Sequence, residues 1–331
     1  MMYYSNANRG DIMVQIIGQE AANGFTKTVT NAKVDTYENR LLRRHGREMT
    51  LFGGKVDEVE YNYKGERYVL SSKGTTSGGR NMKRYTTKEY LIENLVAISR
   101  VQKEKNIILT TGLPCEDYND PALVEQAKSR LLGDHAIYKG ETRHDIKIQT
   151  VYVIPQPLGT LIDFMFDNNL RVVNNRDQYK YLVVDIGRGT TDILLTDGMV
   201  AEKLVGTDIG CMDISNLYLQ YINQDYIGRD FRFTLDDIGV NNRPIINKYE
   251  QSFDFSKHLA VAREEINKQI MSFINDSGIS FKMADRVIYT GGGTKALEGH
   301  LPVAENIKVH PHAQTGNARG YFKFGQHKGG K

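Results

Sequence analysis

The sequence lacks tryptophan, has two cysteines among 331 residues and contains no apolar run near the roughly 20 residues that cross a bilayer. Cys115 and Cys211 lie far apart, and neither has the spacing of a metal-ligand pair, which argues against a disulfide framework. The first residues carry no basic segment followed by an apolar stretch, so no secretory signal is expected. These absences predict a soluble cytoplasmic protein with no membrane partner.

Charge and histidine content give equally little support to a nucleic-acid or metal-binding protein. The net charge of +3 is small, and the cluster Arg40, Arg43, Arg44 and Arg47 fits a solvated loop better than a DNA-binding patch. The one close histidine pair, in residues 310–312, is predicted to be an exposed turn. Any contact with DNA is therefore expected to go through another protein.

Length and patterning predict an α/β protein with two lobes, because 331 residues exceed what one hydrophobic core usually serves. Strand-like and helix-like segments alternate along the chain. The predicted strands are residues 12–17, 25–29, 59–63, 68–70, 106–111, 146–154, 181–184, 192–195 and 286–290. The predicted helices start near residue 86, with Thr86 and Glu89 as a capping box, and cover 121–132, 158–167 and 256–275. Residues 168–178 are the expected crossing between lobes, and residues 71–80 an aperiodic loop.

One internal repeat stands out. Glu20 and Asp185 each follow a strand, and each has a small residue two positions later and a glycine four positions later, Gly24 and Gly189. A second strand follows in both cases. The repeat predicts that both lobes open with the same strand–turn–strand unit.

The second copy, D-I-G-x-G-T-T-D over residues 185–192, has the composition of a phosphate-binding turn. Gly187 and Gly189 allow the backbone N–H groups to come close to a phosphate, and Thr190 adds a hydroxyl donor. Asp185 can hold hydrated Mg²⁺, which needs only one or two carboxylates. In isolation the motif equally fits a tight hairpin that requires glycine.

Two further segments favour the phosphate interpretation. Lys27 follows the first turn and could neutralise a β- or γ-phosphate. Residues 287–294 form a buried-type strand that runs into Gly291, Gly292, Gly293 and Thr294, which suits the adenosine and α-phosphate of a nucleotide. The alternative for this segment is a glycine-rich helix entry. Together the three segments predict a site for ATP (or GTP) and Mg²⁺.

The order of these pieces resembles the superfamily of actin, sugar kinases and heat-shock chaperone ATPases. Within it, T-G-L-P (111–114), P-Q-P-x-G-T (155–160), the 185–192 motif and N-A-R-G-Y (317–321) look like the ParM-type bacterial actins that segregate plasmids. The resemblance implies an actin-like fold, with two duplicated ribonuclease-H-like α/β domains around a nucleotide cleft. Lobe I would comprise residues 1–170 and 312–331, with a small subdomain at about 31–85. Lobe II would comprise residues 171–311, with a small subdomain at about 211–285.

The resemblance also implies roles for individual residues. Gln156 would lie beside the attacking water, although a turn residue between two prolines is the alternative, and Asp185 would be both catalytic and the metal ligand. The implied nucleotide-binding residues are Glu20, Ala22, Asn23, Gly24, Phe25, Lys27, Asp185, Gly187, Arg188, Gly189, Thr190, Gly206, Thr207, Asp208, Arg263, Glu264, Gly291, Gly292, Gly293 and Thr294.

Some of these roles have structural alternatives. Arg188 could instead face solvent, Asp208 could cap the following helix, and Arg263 and Glu264 could lie on a solvated helix face. The chain departs from the family pattern at Glu20, where aspartate is usual, and at Ala22, where glycine is usual.

The implied function is a slow ATPase, possibly a GTPase, that polymerises head to tail and moves plasmid DNA through a DNA-bound adaptor. Glutamine is a very poor base, so Gln156 predicts slow hydrolysis. A small-molecule kinase of the same superfamily is an alternative, although the sequence gives no clear base for a substrate hydroxyl after residues 112–114. A chaperone ATPase fits less well, because little chain follows the last motif. A non-hydrolysing, nucleotide-gated scaffold is a third alternative.

Overall fold

The structure is a computed structural model that describes residues 13–44, 58–71, 84–225, 245–248 and 251–329. The strands in this part of the chain are β1 (Val14–Ala21), β2 (Phe25–Val29), β3 (Val34–Glu38), β4 (Leu41–Arg43), β5 (Val59–Tyr63), β6 (Glu66–Leu70), β7 (Asn106–Leu113), β8 (Gly133–Lys139), β9 (Thr142–Pro155), β10 (Lys180–Ile186), β11 (Thr191–Asp197), β12 (Val200–Thr207), β13 (Ile245–Lys248), β14 (Gln251–Asp254), β15 (Arg286–Thr290) and β16 (Ile307–Val309).

The α-helices of the described residues are α1 (Lys88–Val101), α2 (Cys115–Tyr118), α3 (Pro121–Leu131), α4 (Gln156–Met165), α5 (Cys211–Asp225), α6 (Ser256–Asp276), α7 (Gly293–Ala296) and α8 (Gly316–Gly329). Within the same residues, no helix has the length and apolar content needed to cross a bilayer.

Two large sheets repeat one strand pattern. In the nine-stranded sheet, of order β3-β2-β1-β7-β9-β8-β5-β6-β4, β1 pairs antiparallel with β2 and parallel with β7. In the five-stranded sheet, of order β12-β11-β10-β15-β16, β10 pairs antiparallel with β11 and parallel with β15. The two duplicated α/β units predicted from the sequence are confirmed.

The predicted lobe boundaries stay a prediction, but the strands divide in the same way along the chain. The first sheet takes its strands from residues 14–155 and the second from residues 180–309. Helix α8 returns to the first sheet, where Gly325 packs against Ile16 and Thr110. Residues 226–244, in the predicted small subdomain of lobe II, lie outside the described residues, as do Arg47 and most of the predicted loop at 71–80.

The apolar pattern of the helices correctly predicted their buried faces. Helix α1 buries all five predicted apolar residues, which are Leu91, Ile92, Leu95, Val96 and Ile98. Thr87, and not Thr86, caps this helix, because the Thr87 side chain accepts a hydrogen bond from the Tyr90 N–H at 3.2 Å. Helix α6 ends one residue later than predicted and buries Leu259, Ile266 and Ile270, whereas Phe273, predicted on the same face, is only partly buried and Ile274 is buried instead.

Two element boundaries were predicted wrongly, one at a glycine and one at a proline. Gly18 lies inside β1 and not in a turn, since β1 pairs with β7 through Gly18 and Thr110. A methyl group on Gly18 would lie 2.2 Å from the Phe322 N atom, so glycine is needed here for the approach of α8. Helix α4 begins at Gln156 and not at residue 158, because Pro157 fits a first helical turn, where its missing N–H costs nothing.

The predicted exposed turn at residues 310–312 was wrong for His310. This residue is only 4% exposed, and its Nε2 atom lies 3.6 Å from the Oδ2 atom of Asp163. Asp163 is paired more closely with Lys323 on α8, at 2.6 Å. Burial lowers the pKa of His310, so a neutral ring fills this space beside a carboxylate that already has a cation.

No cluster of three or more His, Cys, Asp or Glu suited to a metal occurs in the described residues.

Helices α4 and α8 pack backbone to backbone through glycine. A methyl group on Gly320 would lie 1.7 Å from the carbonyl oxygen of Gly159, a separation that no rotamer change can relieve.

We expect Gly320→Ala to lower the free energy of unfolding by about 3 kcal/mol, the upper end of the usual cost of overpacking. The measurement is the midpoint of urea unfolding. Gly292→Ala is the control, because a methyl group there meets no atom within 4 Å; equal midpoints for the two variants would contradict the packing.

Candidate functional site

A cavity of about 700 Å³ is lined by residues of both sheets, a size typical of small-molecule sites. The ends of β1, β7 and β10 contribute to its wall, and so does Gly291, directly after β15. The predicted site residues that line it are Glu20, Ala22, Asn23, Gly24, Phe25, Lys27, Gln156, Asp185, Gly187, Arg188, Gly189, Thr190, Asp208, Gly291, Gly292 and Thr294. The structure therefore brings the three glycine-bearing segments of the sequence to one site.

The first and second turns face each other across this cavity. A methyl group on Gly24 would lie 3.1 Å from the Cδ atom of Arg188, and one on Gly189 would lie 3.9 Å from the Nδ2 atom of Asn23. In the first turn, the Ala22 carbonyl accepts a hydrogen bond from the Asn39 side chain at 3.0 Å. Because a trans peptide points its N–H and C=O in opposite directions, the Asn23 N–H points away from Asn39. The two turns thus lie on opposite sides of the cavity.

The hairpin of β1 and β2 places Glu20 directly opposite Lys27. Their side chains form an ion pair of 3.1 Å, and each is only 10% exposed. Lys27 was predicted to neutralise phosphate charge, yet in the structure its charge is already balanced by Glu20. The pair therefore adds no net positive charge to this wall of the cavity.

Asp185 lies near the end of β10, opposite Asp192 of β11, and is 4% exposed. One of its carboxylate oxygens accepts a hydrogen bond of 2.6 Å from the Nδ2 atom of Asn317. Burial, and then the negative charge of Glu20, raise the pKa of Asp185 to about 7, although the Asn317 hydrogen bond opposes this. A buried carboxylate close to another acid is a place where a cation is stabilising. The donor set fits Mg²⁺, which takes carboxylate oxygens and keeps several waters.

Asp192 connects the two lobes. It is almost fully buried and accepts hydrogen bonds from the Cys115 N–H at 2.5 Å and from the Thr190 hydroxyl at 3.1 Å. Burial raises the pKa of Asp192 to about 6, and the hydrogen bonds from Cys115 oppose this rise. The pairing holds the start of α2 in one lobe against β11 in the other.

The raised pKa of Asp192 predicts a pH dependence of stability. Because the folded state holds the proton more tightly, the contribution of Asp192 is most favourable below about pH 4 and declines as pH rises to about 6. The shift from 3.8 to about 6 corresponds to about 3 kcal/mol. Asp192→Asn cannot ionise, so its stability relative to the wild type should rise by up to that amount between pH 4 and pH 7. Urea unfolding across this range measures it, and parallel pH profiles would contradict it.

The third segment requires glycine for two reasons. Gly291 has a φ of +84°, and a methyl group there would lie 2.4 Å from the Oδ1 atom of Asp185. A methyl group on Gly293 would lie 2.2 Å from the Ile186 side chain. Gly293 therefore packs against Ile186, and it does not line the cavity. The Thr294 hydroxyl donates to the Gly291 carbonyl at 2.9 Å. The glycines here allow β15 to lie tightly against β10.

Four other predicted residues are also absent from the cavity wall. Gly206 and Thr207 are the last residues of β12 and not part of a turn, since they pair with Asp192 and Thr191 of β11. Glu264 on α6 forms an exposed ion pair with Lys268, as on a solvated helix face. Arg263 lies beside it on the same helix. The nucleotide contacts assigned to these residues stay predictions.

Several residues in the wall were not predicted from the sequence. Arg84 donates to the Asn23 side chain at 2.6 Å and forms an ion pair with the buried Glu93. Asn317 belongs to the N-A-R-G-Y motif, but its contact with Asp185 spans 132 residues. The other wall residues that were not predicted are Ala21, Tyr85, Gly112, Pro114, Glu116, Asp117, Cys211, Lys295, Ala313 and Gln314. Among these residues, Gly112 and Pro114 belong to the T-G-L-P motif and Ala21 to the first turn, so the sequence contained a signal for them.

Comparison with known proteins assigns a family model to each half of the chain. A family model of actin-like proteins, N-terminal domain, matches residues 21–159. A model of the archaeal actin homologue MreB-like C-terminal domain matches residues 183–303. No curated protein matches the sequence at a significant level.

Several solved structures share the fold over nearly the whole chain. The apo pSK41 ParM protein is 21% identical, with a TM-score of 0.69 and coverage of 96% of this chain and 98% of that one. A 15-stranded ParM filament from Clostridium botulinum is 17% identical, with a TM-score of 0.74 and coverage of 95% and 99%. An archaeal actin homologue in complex with ADP is 18% identical, with a TM-score of 0.72 and coverage of 94% and 98%.

The two domain models cover most of the chain, and the fold around the cavity is that of actin homologues. The chain therefore combines an actin-like N-terminal domain with an MreB-like C-terminal domain in the fold of the actin homologues.

Proposed function

We propose that this protein is a nucleotide-dependent, filament-forming ATPase that segregates plasmid DNA by polymerisation in the cytoplasm. The observation that carries the proposal is the pair of glycine-bearing turns that face each other across one cavity, with Asp185 buried beside them. The domain assignment of the proposal is lobe I from residues 1–170 and 312–331, and lobe II from residues 171–311.

The proposed nucleotide is ATP, with GTP as the alternative. Its phosphates lie between the turns at residues 20–27 and 185–190, and its adenosine lies along residues 291–294. Asp185 would hold Mg²⁺, and the ion would supply positive charge that neutralises the phosphate oxygens. Lys27 and Arg84 are paired with Glu20 and Glu93, and the wall also carries Arg188 and Lys295, which bring further positive charge near the phosphates. An archaeal actin homologue with this fold has been solved with ADP.

Phosphoryl transfer depends mainly on positioning and charge stabilisation, so little covalent chemistry is asked of the protein. Gln156 is the first residue of α4 and lines the cavity, where its amide can orient a water. An amide accepts and donates hydrogen bonds but does not take up a proton at neutral pH. We therefore propose slow hydrolysis, suited to a polymer whose lifetime is set by its nucleotide.

Assembly follows from the two-lobed architecture. A nucleotide that contacts both turns favours closure of the lobes, and the closed subunits associate head to tail without forming a ring. A ParM of the same fold forms a filament of 15 strands. The proposed partners are further copies of this chain and a DNA-bound adaptor protein, through which the filament reaches plasmid DNA.

A small-molecule kinase is the second candidate, and one observation favours it. Glu116 and Asp117 line the cavity directly after the T-G-L-P segment, so carboxylates that could act as a base toward a substrate hydroxyl are present. The sequence had suggested no such base. A kinase would transfer the γ-phosphate to a sugar or a similar alcohol and would stay monomeric.

The deciding experiment measures light scattering, pelleting and phosphate release with ATP, with ADP and without nucleotide. The proposal predicts scattering and pelleted protein with ATP, their decay as phosphate is released, and a lower signal with ADP. Phosphorylation of an added alcohol by a protein that stays in the supernatant would support the kinase instead. Binding of ATP without phosphate release would support the non-hydrolysing scaffold.

A further inference from the structure

Asn317 lies in the first turn of α8, at the junction of the two sheets, and is 4% exposed. Its Nδ2 atom donates to Asp185 of β10 at 2.6 Å. Its Oδ1 atom accepts from the backbone N–H of Thr160 on α4 at 3.2 Å. The backbone N–H can only donate, so the amide must turn its oxygen to Thr160 and its nitrogen to Asp185. One buried side chain thus joins the carboxylate to α4 in a defined orientation.

Thr160 extends this connection to a third element. Its hydroxyl lies 2.8 Å from the Oδ1 atom of Asn317 and 3.0 Å from the hydroxyl of Thr290 at the end of β15. The Thr290 hydroxyl in turn lies 3.1 Å from the Ala313 carbonyl, just before α8. Thr160 and Thr290 are fully buried, so solvent water does not compete for their hydrogen bonds.

The helices that carry this network have little freedom to separate from each other. Gly159 and Gly320 hold the backbones of α4 and α8 in contact, and a methyl group on Gly159 would lie 2.7 Å from the Asn317 carbonyl oxygen. Gln156 lies four residues before Thr160, which is one turn along the same helix. A shift of Asp185 is therefore transmitted through Asn317 and Thr160 to the helix that presents Gln156.

We propose that Asn317 is a positioning residue that fixes Asp185 relative to the helix bearing Gln156. The inference rests on the proposed function, since it assigns Asp185 to Mg²⁺ and Gln156 to water. Asn317 acts through these two groups: it binds one carboxylate oxygen of Asp185, and the other, Oδ1, lies beside Gly291 of the cavity wall. Residues that orient metal-binding carboxylates usually contribute tenfold to a hundredfold to metal affinity or activity.

The test uses the full chain and measures the affinity for ATP in MgCl₂ and in EDTA, together with phosphate release at saturating MgATP. In Asn317→Ala, the ratio of the two affinities and the rate of phosphate release should each fall about tenfold or more. Affinity in EDTA should stay within about twofold, because the glycine-bearing turns are unchanged. The affinity ratio is independent of turnover, so it separates positioning from loss of active protein.

Asn94→Ala is the matched control. Asn94 is also a fully buried asparagine with two bonded groups, since it accepts from Gln19 at 2.7 Å and donates to the Tyr90 carbonyl at 2.7 Å, but it does not line the cavity. We expect it to lower stability without changing the affinity ratio. If both variants change the ratio equally, Asn317 has only a structural role and the proposal is overturned.

A second pair of variants keeps the test decisive if Asn317→Ala does not fold. Thr160→Val preserves the shape of the side chain but removes the hydroxyl, whereas Thr160→Ser keeps it. We expect the valine variant to lower the affinity ratio and the serine variant to restore it. Equal ratios for wild type, valine and serine would overturn the proposal. A wild-type chain that does not bind ATP would remove the proposed function as well, which distinguishes the two failures.

Discussion

An Asp185→Asn variant is expected to hydrolyse ATP about a thousandfold more slowly than the wild type, because a metal ion contributes several kcal/mol to the transition state. Asparagine keeps the size of the side chain but removes the negative charge that holds Mg²⁺. The nucleotide-free variant should fold at least as stably at pH 8, since burial and Glu20 raise the pKa of Asp185 and make its ionised form costly. Stability that this carboxylate contributes is fully present below about pH 4 and declines toward about pH 7.

Phosphate release and thermal unfolding measure the two effects. Asp197→Asn is the matched control, because Asp197 lies on the neighbouring strand β11 and forms an exposed ion pair with Lys180. The control should hydrolyse ATP at the wild-type rate. Unchanged phosphate release from the Asp185 variant would reject the metal assignment.

A Gln156→Ala variant is expected to lose about a hundredfold in hydrolysis, the lower end of the usual contribution of a group that assists proton transfer or orients the nucleophile. Its affinity for MgATP should stay near that of the wild type, because the glycine-bearing turns and Asp185 are unaltered. Filaments formed with ATP should consequently persist longer. Single-turnover phosphate release and the decay of light scattering after ATP exhaustion measure the two results.

Gln156→Glu supplies the comparison for this position, since it keeps the length of the side chain and adds a base. It should hydrolyse ATP at the wild-type rate or faster, while the alanine variant stays slow. Wild-type turnover in the alanine variant would show that the water is oriented by another group, and Glu116 in the same wall would be the next residue to change.

The sequence could predict the three glycine-bearing segments because each is local. The acid and glycines of residues 185–189 follow one strand, and the pattern alone indicates close backbone approach. The pairing of Asp185 with Thr290 on the parallel neighbour β15 then brings the third segment to the same edge. Repetition of the pattern at Glu20 predicted the duplicated fold.

The structure gives a physical explanation for the glutamate at position 20, where aspartate is usual in the family. Its longer side chain reaches the directly opposite Lys27, and the two form a buried ion pair. Sequence spacing placed Lys27 near a phosphate but could not reveal which carboxylate it faces. In the proposed function, Arg188 and Lys295 of the cavity wall therefore contribute the positive charge that was expected from Lys27.

Residues that act over long sequence separations could not be found from the chain alone. Arg84 meets Asn23 across 61 residues, and Asn317 meets Thr160 across 157. Neither contact follows from a local period or a turn motif, because each joins elements that are distant in the chain: the turn after β1 and the segment before α1 in the first case, and helices α4 and α8 in the second. The burial of His310 was missed for the same reason: its position is set by Asp163, on a helix 147 residues earlier in the chain.

Hydrogen–deuterium exchange with and without MgATP tests most directly whether the turns of both lobes bind the nucleotide. The account predicts slower amide exchange on nucleotide addition in all three segments, residues 20–27, 185–191 and 290–294, at the same ATP concentration. The strands β8 and β9 around residues 133–147 lie outside the cavity wall and should not change. Protection of only one segment, or of none, would contradict a nucleotide held from both sides.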